Sequence, residues 1–139
     1  FQLADYSLVS KMTLDANIFA FYEWNSGMLL GHVSGALSFL NVKPIQITQK
    51  AQLQDKQLIY EISRSSANQE DFALATLRGV VILSHNAGSF QNKGESYLQG
   101  IWTSGIVEVQ PDVFCVSLFS NSEIMAALID RRNKSTKMI

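Results

Sequence analysis

From Pro44 to Leu53 the chain reads Pro-Ile-Gln-Ile-Thr-Gln-Lys-Ala-Gln-Leu. Ile45, Ile47, Ala51 and Leu53 share one parity, and Gln46, Thr48, Lys50 and Gln52 share the other. A strand sends successive side chains to opposite faces, so this stretch has one dry face and one wet face. The same period recurs elsewhere. Asn17 to Trp24 is an aromatic strand closed by the turn Asn25-Ser26-Gly27. Met28 to Leu40 is the next strand, and Gly31 and Gly35 inside it suggest a bulge or a sharp bend. Asp55-Lys56 reads as a turn, and Leu58, Tyr60 and Ile62 then share a face. Phe72 to Ser84 returns as a strand after a polar loop from Arg64 to Asp71. Tyr97 to Ser104, Ile106 to Gln110 and Val113 to Phe119 complete the pattern, with Pro111-Asp112 as a turn. Residues 1–12 fit a short helix or the lead into a strand.

The C-terminal end changes period. Ser120 and Glu123 have capping-box spacing. Ile124, Met125, Leu128 and Ile129 follow at helical intervals, and Arg131 and Arg132 suit the last turn of a helix. The expectation is therefore an all-β fold: a small antiparallel up-and-down barrel or curled sheet of about seven to eight strands. A helix from Ser122 to Arg132 closes it. Closure into a barrel would remove exposed edges. No internal repeat is evident at this level. The 139 residues suit one domain, 1–139, excised from a longer protein.

Composition narrows the function classes. A hydrophobic fraction of 47% and a charged fraction of 17% are those of a folded chain. The formal net charge of −1 supplies no global field for duplex nucleic acid or an anionic membrane. The stretch from Trp24 to Val42 lacks Asp, Glu, Lys and Arg, but its strand parity and polar residues argue against a membrane helix. Any membrane anchor would lie outside this chain, and a cytoplasmic location is expected.

Few residues suggest catalysis. The single cysteine, Cys115, lies in an apolar run and reads as a small buried hydrophobe rather than a nucleophile. His32, His85 and Cys115 lack paired zinc spacing, so no metal is expected. His32 reads as a satisfied surface or rim histidine. There is no nucleophile elbow and no phosphate-binding glycine loop. Glu70-Asp71 reads as a solvated turn. No catalytic residue and no cofactor is expected. Aromatic and cationic strand residues remain: Tyr60, Arg78, Tyr97 and Trp102, with Lys50 and Arg64 nearby. Aromatic faces stack on bases and guanidinium groups pair with phosphate. Packing of the three aromatics into the core, with Arg78 facing water, is the competing account.

Leu58-Ile59-Tyr60-Glu61-Ile62, then Leu77-Arg78-Gly79-Val80-Val81-Ile82-Leu83, then Leu98-Gln99-Gly100-Ile101-Trp102-Thr103 follow in order. With Ile45-Gln46-Ile47-Thr48-Gln49 before them, they resemble a known series over about residues 44–110. It is that of the C-terminal β-barrel of two-transmembrane β-strand-rich effectors of bacterial cyclic-oligonucleotide antiphage systems. The resemblance implies a non-catalytic barrel that binds a cyclic nucleotide second messenger and promotes assembly of a membrane-anchored protein. Under it Tyr60 and Trp102 would stack on the ligand, Arg64 and Arg78 would pair with phosphate, and Thr103 would lie in the same site. The partners implied are a cyclic oligonucleotide and further copies of the chain, with no duplex nucleic acid. Two other functions fit the pattern: a lipocalin-like carrier of an apolar molecule, and an interaction module docking through Ile124, Met125, Leu128 and Ile129.

Overall fold

A computed structural model describes residues 17–54 and 57–139. The readings made for residues 1–12 and for the Asp55-Lys56 turn lie outside these residues. The described chain is all-β and antiparallel, as the alternation predicts. Twelve strands form three four-stranded sheets in place of the expected single barrel. The first sheet holds β1 (Ile18–Trp24), β2 (Gly27–His32), β3 (Ala36–Val42) and β4 (Ile45–Gln52). The second holds β5 (Ile59–Arg64), β6 (Asp71–Thr76), β7 (Gly79–Asn86) and β8 (Ser89–Tyr97). The third holds β9 (Trp102–Gln110), β10 (Val113–Ser120), β11 (Glu123–Asp130) and β12 (Ser135–Met138). Within each sheet the strands lie side by side in chain order.

The sheets stack face to face. Ala20, Leu29 and Leu37 of the first meet Ile59, Phe72, Leu74 and Leu83 of the second in one core. Ala73, Ala75, Val80 and Ile82 leave the opposite face of the second sheet and meet Ile106, Phe114, Val116 and Ile129 of the third. The second sheet is thus buried on both faces, which explains the unbroken apolar runs of β6 and β7. The first strands are neighbours, β1 beside β5 and β5 beside β9. The sheets therefore fan outward from β1, β5 and β9, in the manner of propeller blades.

This arrangement carries a repeat that alternation alone concealed. Ile18-Phe19, Ile59-Tyr60 and Ile101-Trp102 open the three sheets at spacings of roughly 40 residues. Only an isoleucine–aromatic pair recurs, so the sequence signal is slight, and the expectation of no repeat is corrected.

The expected C-terminal helix is the strand β11. Asn121 and Ser122 both take positive φ (51° and 63°), and Ser120 pairs with Glu123 across them. That is a two-residue hairpin turn, whose flanking residues have the same spacing as a capping box. The apolar residues then divide by parity. Ala127 and Ile129 are fully buried, while Ile124 on the other face is 85% exposed. Tertiary packing against the second sheet selects period two over period 3.6. Asn25-Ser26 makes an equivalent turn between β1 and β2.

Gly31 permits a close approach of the first two sheets. A Cβ there would lie 2.6 Å from Ile59 Cγ2 and 2.9 Å from the Ala20 Cβ. Gly35, with φ of 83°, serves the β2–β3 turn. Replacing Gly31 with alanine should destabilise the protein by about 1–3 kcal/mol through overpacking. Urea unfolding measures this, and a change within about 0.5 kcal/mol would mean that the sheets part without strain.

Candidate functional site

The five residues expected to form one site are divided by the fold. Tyr60 and Trp102 do come together, their rings stacked at 5.8 Å between centroids and 28° between planes. Phe19 meets the edge of Tyr60 at 6.1 Å, and Phe119 meets Trp102 at 5.6 Å. One aromatic residue from each first strand therefore joins a row across all three sheets. The Tyr60 and Trp102 rings are occupied with each other, and no space for a base lies between them.

Thr103 is fully buried. Its hydroxyl accepts from the Thr76 amide at 3.0 Å and lies 2.8 Å from the Thr76 carbonyl and 3.0 Å from that of Gly79. It joins β9 to the turn between β6 and β7, and its hydroxyl is taken up by these bonds. Arg64 is at the far end of β5 from Tyr60. Its Nε donates to the Gln69 carbonyl at 2.7 Å and its guanidinium lies over the Phe72 ring. The expected pairing of Arg64 and Arg78 in one site is not formed.

Arg78 is exposed in the turn between β6 and β7. Its amide donates to Thr76 Oγ1 and its carbonyl accepts from the Gly100 amide at 3.1 Å, so the backbone is fixed, and among the described residues the guanidinium has no hydrogen-bond partner. It lines a groove of about 430 Å³ with Gln54, Gln57, Asn92, Ser96 and Gln99. The pairing of β7 with β8 is irregular here: Val81 faces Ser96 but Leu83 faces Asn92. The extra residues of β8 include Gly94, whose φ is 82°, and they bow the strand away from β7 to shape the groove. Its rim thus offers amide donors and acceptors around one guanidinium, a set suited to a polar anion.

The most elaborate polar cluster was not foreseen. The helix expected at the C-terminal end would place Arg131 in its last turn. It lies instead beyond β11 and joins three carboxylates from separate parts of the chain. Its Nε and Nη2 hold Glu95 at 2.7 and 2.8 Å, Nη1 holds Asp112 at 2.9 Å and Nη2 holds Asp71 at 2.7 Å. Ser84 donates to Asp71, Ser65 to Asp112, and the Tyr97 hydroxyl to Glu95. Asp71 is buried, which corrects its reading as a solvated turn residue. The Arg131 hydrogen bonds hold the Glu95 carboxyl below its ordinary range. Burial, with Glu95 beside it, pushes the Tyr97 phenol up. Arginine does not give up its proton, and these carboxylates already accept bonds. The cluster is a clamp between the second and third sheets rather than an acid–base site. Separations such as the 60 residues from Asp71 to Arg131 left no motif in the sequence.

Two further expectations change. His32 is buried, and burial lowers its pKa. Its Nε2 lies 2.9 Å from Ser38 Oγ, while Nδ1 has no partner among the described residues. Cys115 is half-buried rather than buried and faces away from the second sheet. Among the described residues no group of three or more potential ligands could hold a metal ion. No helix among them is long and apolar enough to cross a membrane.

Replacing Arg131 with methionine should cost about 3–5 kcal/mol at neutral pH, because it leaves buried carboxylates uncompensated. Glu95 is depressed in the folded state, so its stabilisation is present above the ordinary glutamate value of 4.5 and is lost as the pH falls through the folded value. The stability gap between wild type and variant should therefore narrow in acid. Denaturant melts from pH 7 to pH 3 test this, and a gap that widens in acid would contradict the clamp.

No family model matches this chain, and no curated protein matches it. Among solved structures it is similar to the crystal structure of the computationally designed Ika4 protein. The identity is 8%, the TM-score is 0.55, and the match covers 96% of each chain. At that identity the likeness is one of fold, and it extends over nearly the whole length of both chains.

Proposed function

We propose that this chain is a non-catalytic binding module whose ligand site is the groove around Arg78. The observation that carries the reading is the groove's chemistry: the Arg78 guanidinium, which pairs with no carboxylate among the described residues, set among Gln54, Gln57, Asn92, Ser96 and Gln99. Its volume of about 430 Å³ is that of a small-molecule site. The ligand class that fits is a small anion with several hydrogen-bonding edges. A cyclic nucleotide has both features, with phosphate for Arg78 and base edges for the amides. This keeps the ligand that the family resemblance implied and moves its site from a barrel mouth to a groove. Tyr60 and Trp102 serve as packing between sheets on this reading, and Arg64 takes no part.

The apolar-carrier alternative needs an open barrel lumen, which the three stacked sheets do not form. An interaction module is favoured by a different observation, the exposed apolar face of the third sheet.

Melting temperature against a panel of cyclic di- and trinucleotides tests the groove, since a ligand of the folded state raises it with concentration. One member should stabilise the protein. Arg78→Ala should weaken its binding by about 10- to 100-fold, as expected for a lost charged hydrogen bond. Arg64→Ala should leave it unchanged. Stabilisation by no member, or equal loss in both variants, would reject this site.

A further inference from the structure

We infer that the outer face of the third sheet binds a neutral saccharide in a trough beside Trp102, Phe119 and Glu61. The trough shares no residue with the groove around Arg78. Register builds it. On that face Trp102, Phe119 and Ile124 form one row across β9, β10 and β11, and Val107, Cys115 and Leu128 form another. The row between them is Gly105, Ser117 and Ala126. The bulky rows therefore stand as walls about 13 Å apart over a low floor. Trp102 and Phe119 pack ring against ring at 5.6 Å and remain 40 and 43% exposed, so one wall is aromatic. Exposed apolar surface of this kind marks an interaction site.

Polar groups collect at the β9 end of the trough and identify its ligand. Glu61 reaches the edge of β9 from β5, where its Oε2 accepts from the Ile106 amide at 3.2 Å. A Cβ on Gly105 would lie 3.1 Å from that oxygen and 2.8 Å from Ser117 Oγ, so the missing side chain opens both groups to the trough. Ser104 Oγ lies 3.1 Å from Ser117 Oγ. Glu61 is exposed, and among the described residues it pairs with no cation. The negative face of an aromatic ring attracts C–H groups that carry partial positive charge. A carboxylate accepts hydrogen bonds, and a serine hydroxyl donates or accepts. A sugar ring carries both complements, a C–H face for the aromatic wall and hydroxyls for Glu61, Ser104 and Ser117. Like charge at Glu61 disfavours phosphate and other anions. An apolar peptide would bury the carboxylate without a partner. The trough crosses three strands, about 10 Å, which suits a short oligosaccharide better than a single ring.

Acrylamide quenching of tryptophan fluorescence, with cellohexaose, chitohexaose and mannohexaose as probes, tests the inference on the whole chain. The chain has two tryptophans and Trp24 is buried, so quenching reports on Trp102. At least one saccharide should protect Trp102 saturably. Glu61→Gln keeps the shape of the side chain and an acceptor for the Ile106 amide, and should weaken binding by about 10-fold or more. Phe119→Ala should weaken it by up to about 10-fold. Circular dichroism melts should show both variants folded. Protection by none of the saccharides at millimolar concentration would overturn the inference. Binding that survives both substitutions together would also overturn it, because the sugar would then lie elsewhere. So would protection by tetramethylammonium in place of any saccharide, since aromatic rings beside a carboxylate can hold a cation.

Discussion

The second sheet is the constraint on which the molecule depends. It must bury both faces, and β6 and β7 are buried at every position from Asp71 to Thr76 and from Gly79 to Ser84. Phe72 and Leu74 commit to the first sheet, and Ala73 and Ala75 to the third. Such a sheet cannot persist alone in water, because either exposed face would forfeit the hydrophobic term. The two outer sheets are the cover it requires. In return, the second sheet supplies each of them with an apolar surface.

Polar contacts then fix how the layers sit. Hydrophobic packing is non-directional and would tolerate small slides of one sheet over another. Thr103 and Arg131 remove that freedom from the two ends of the interface between the second and third sheets. Thr103 ties the start of β9 to the Thr76–Gly79 turn. Arg131 draws Asp71 and Glu95 of the second sheet to Asp112 of the third. Between the first and second sheets, shape takes the place of such bonds: Gly31 fits against Ile59, and Trp24 packs edge-on against Phe72 and Phe90.

Local features were the legible ones. Alternation in Ile45 to Leu53 correctly marks β4, and Asn25-Ser26 correctly marks a hairpin turn. The division into three sheets was not legible. A strand buried on both faces has no wet parity, so Phe72 to Leu83 gave no indication of a second layer. The helix expected from Ser122 failed because capping-box and hairpin spacings coincide at Ser120 and Glu123. Of the candidate site, the nearness of Tyr60 and Trp102 could be anticipated. The separation of Arg64 from Arg78 could not, because it depends on which end of a strand each occupies. The Arg131 cluster joins residues so far apart in sequence that only the folded register reveals it.

The last strand of each sheet has its own consequence. β4, β8 and β12 form the periphery of the fan, and each contains a lysine: Lys50, Lys93 and Lys137. Their outer backbone amides and carbonyls are a template for foreign strands, and an edge lysine discourages that pairing. Lateral growth from the rim, the route to fibres, is thereby disfavoured, while the apolar surfaces lie on broad faces.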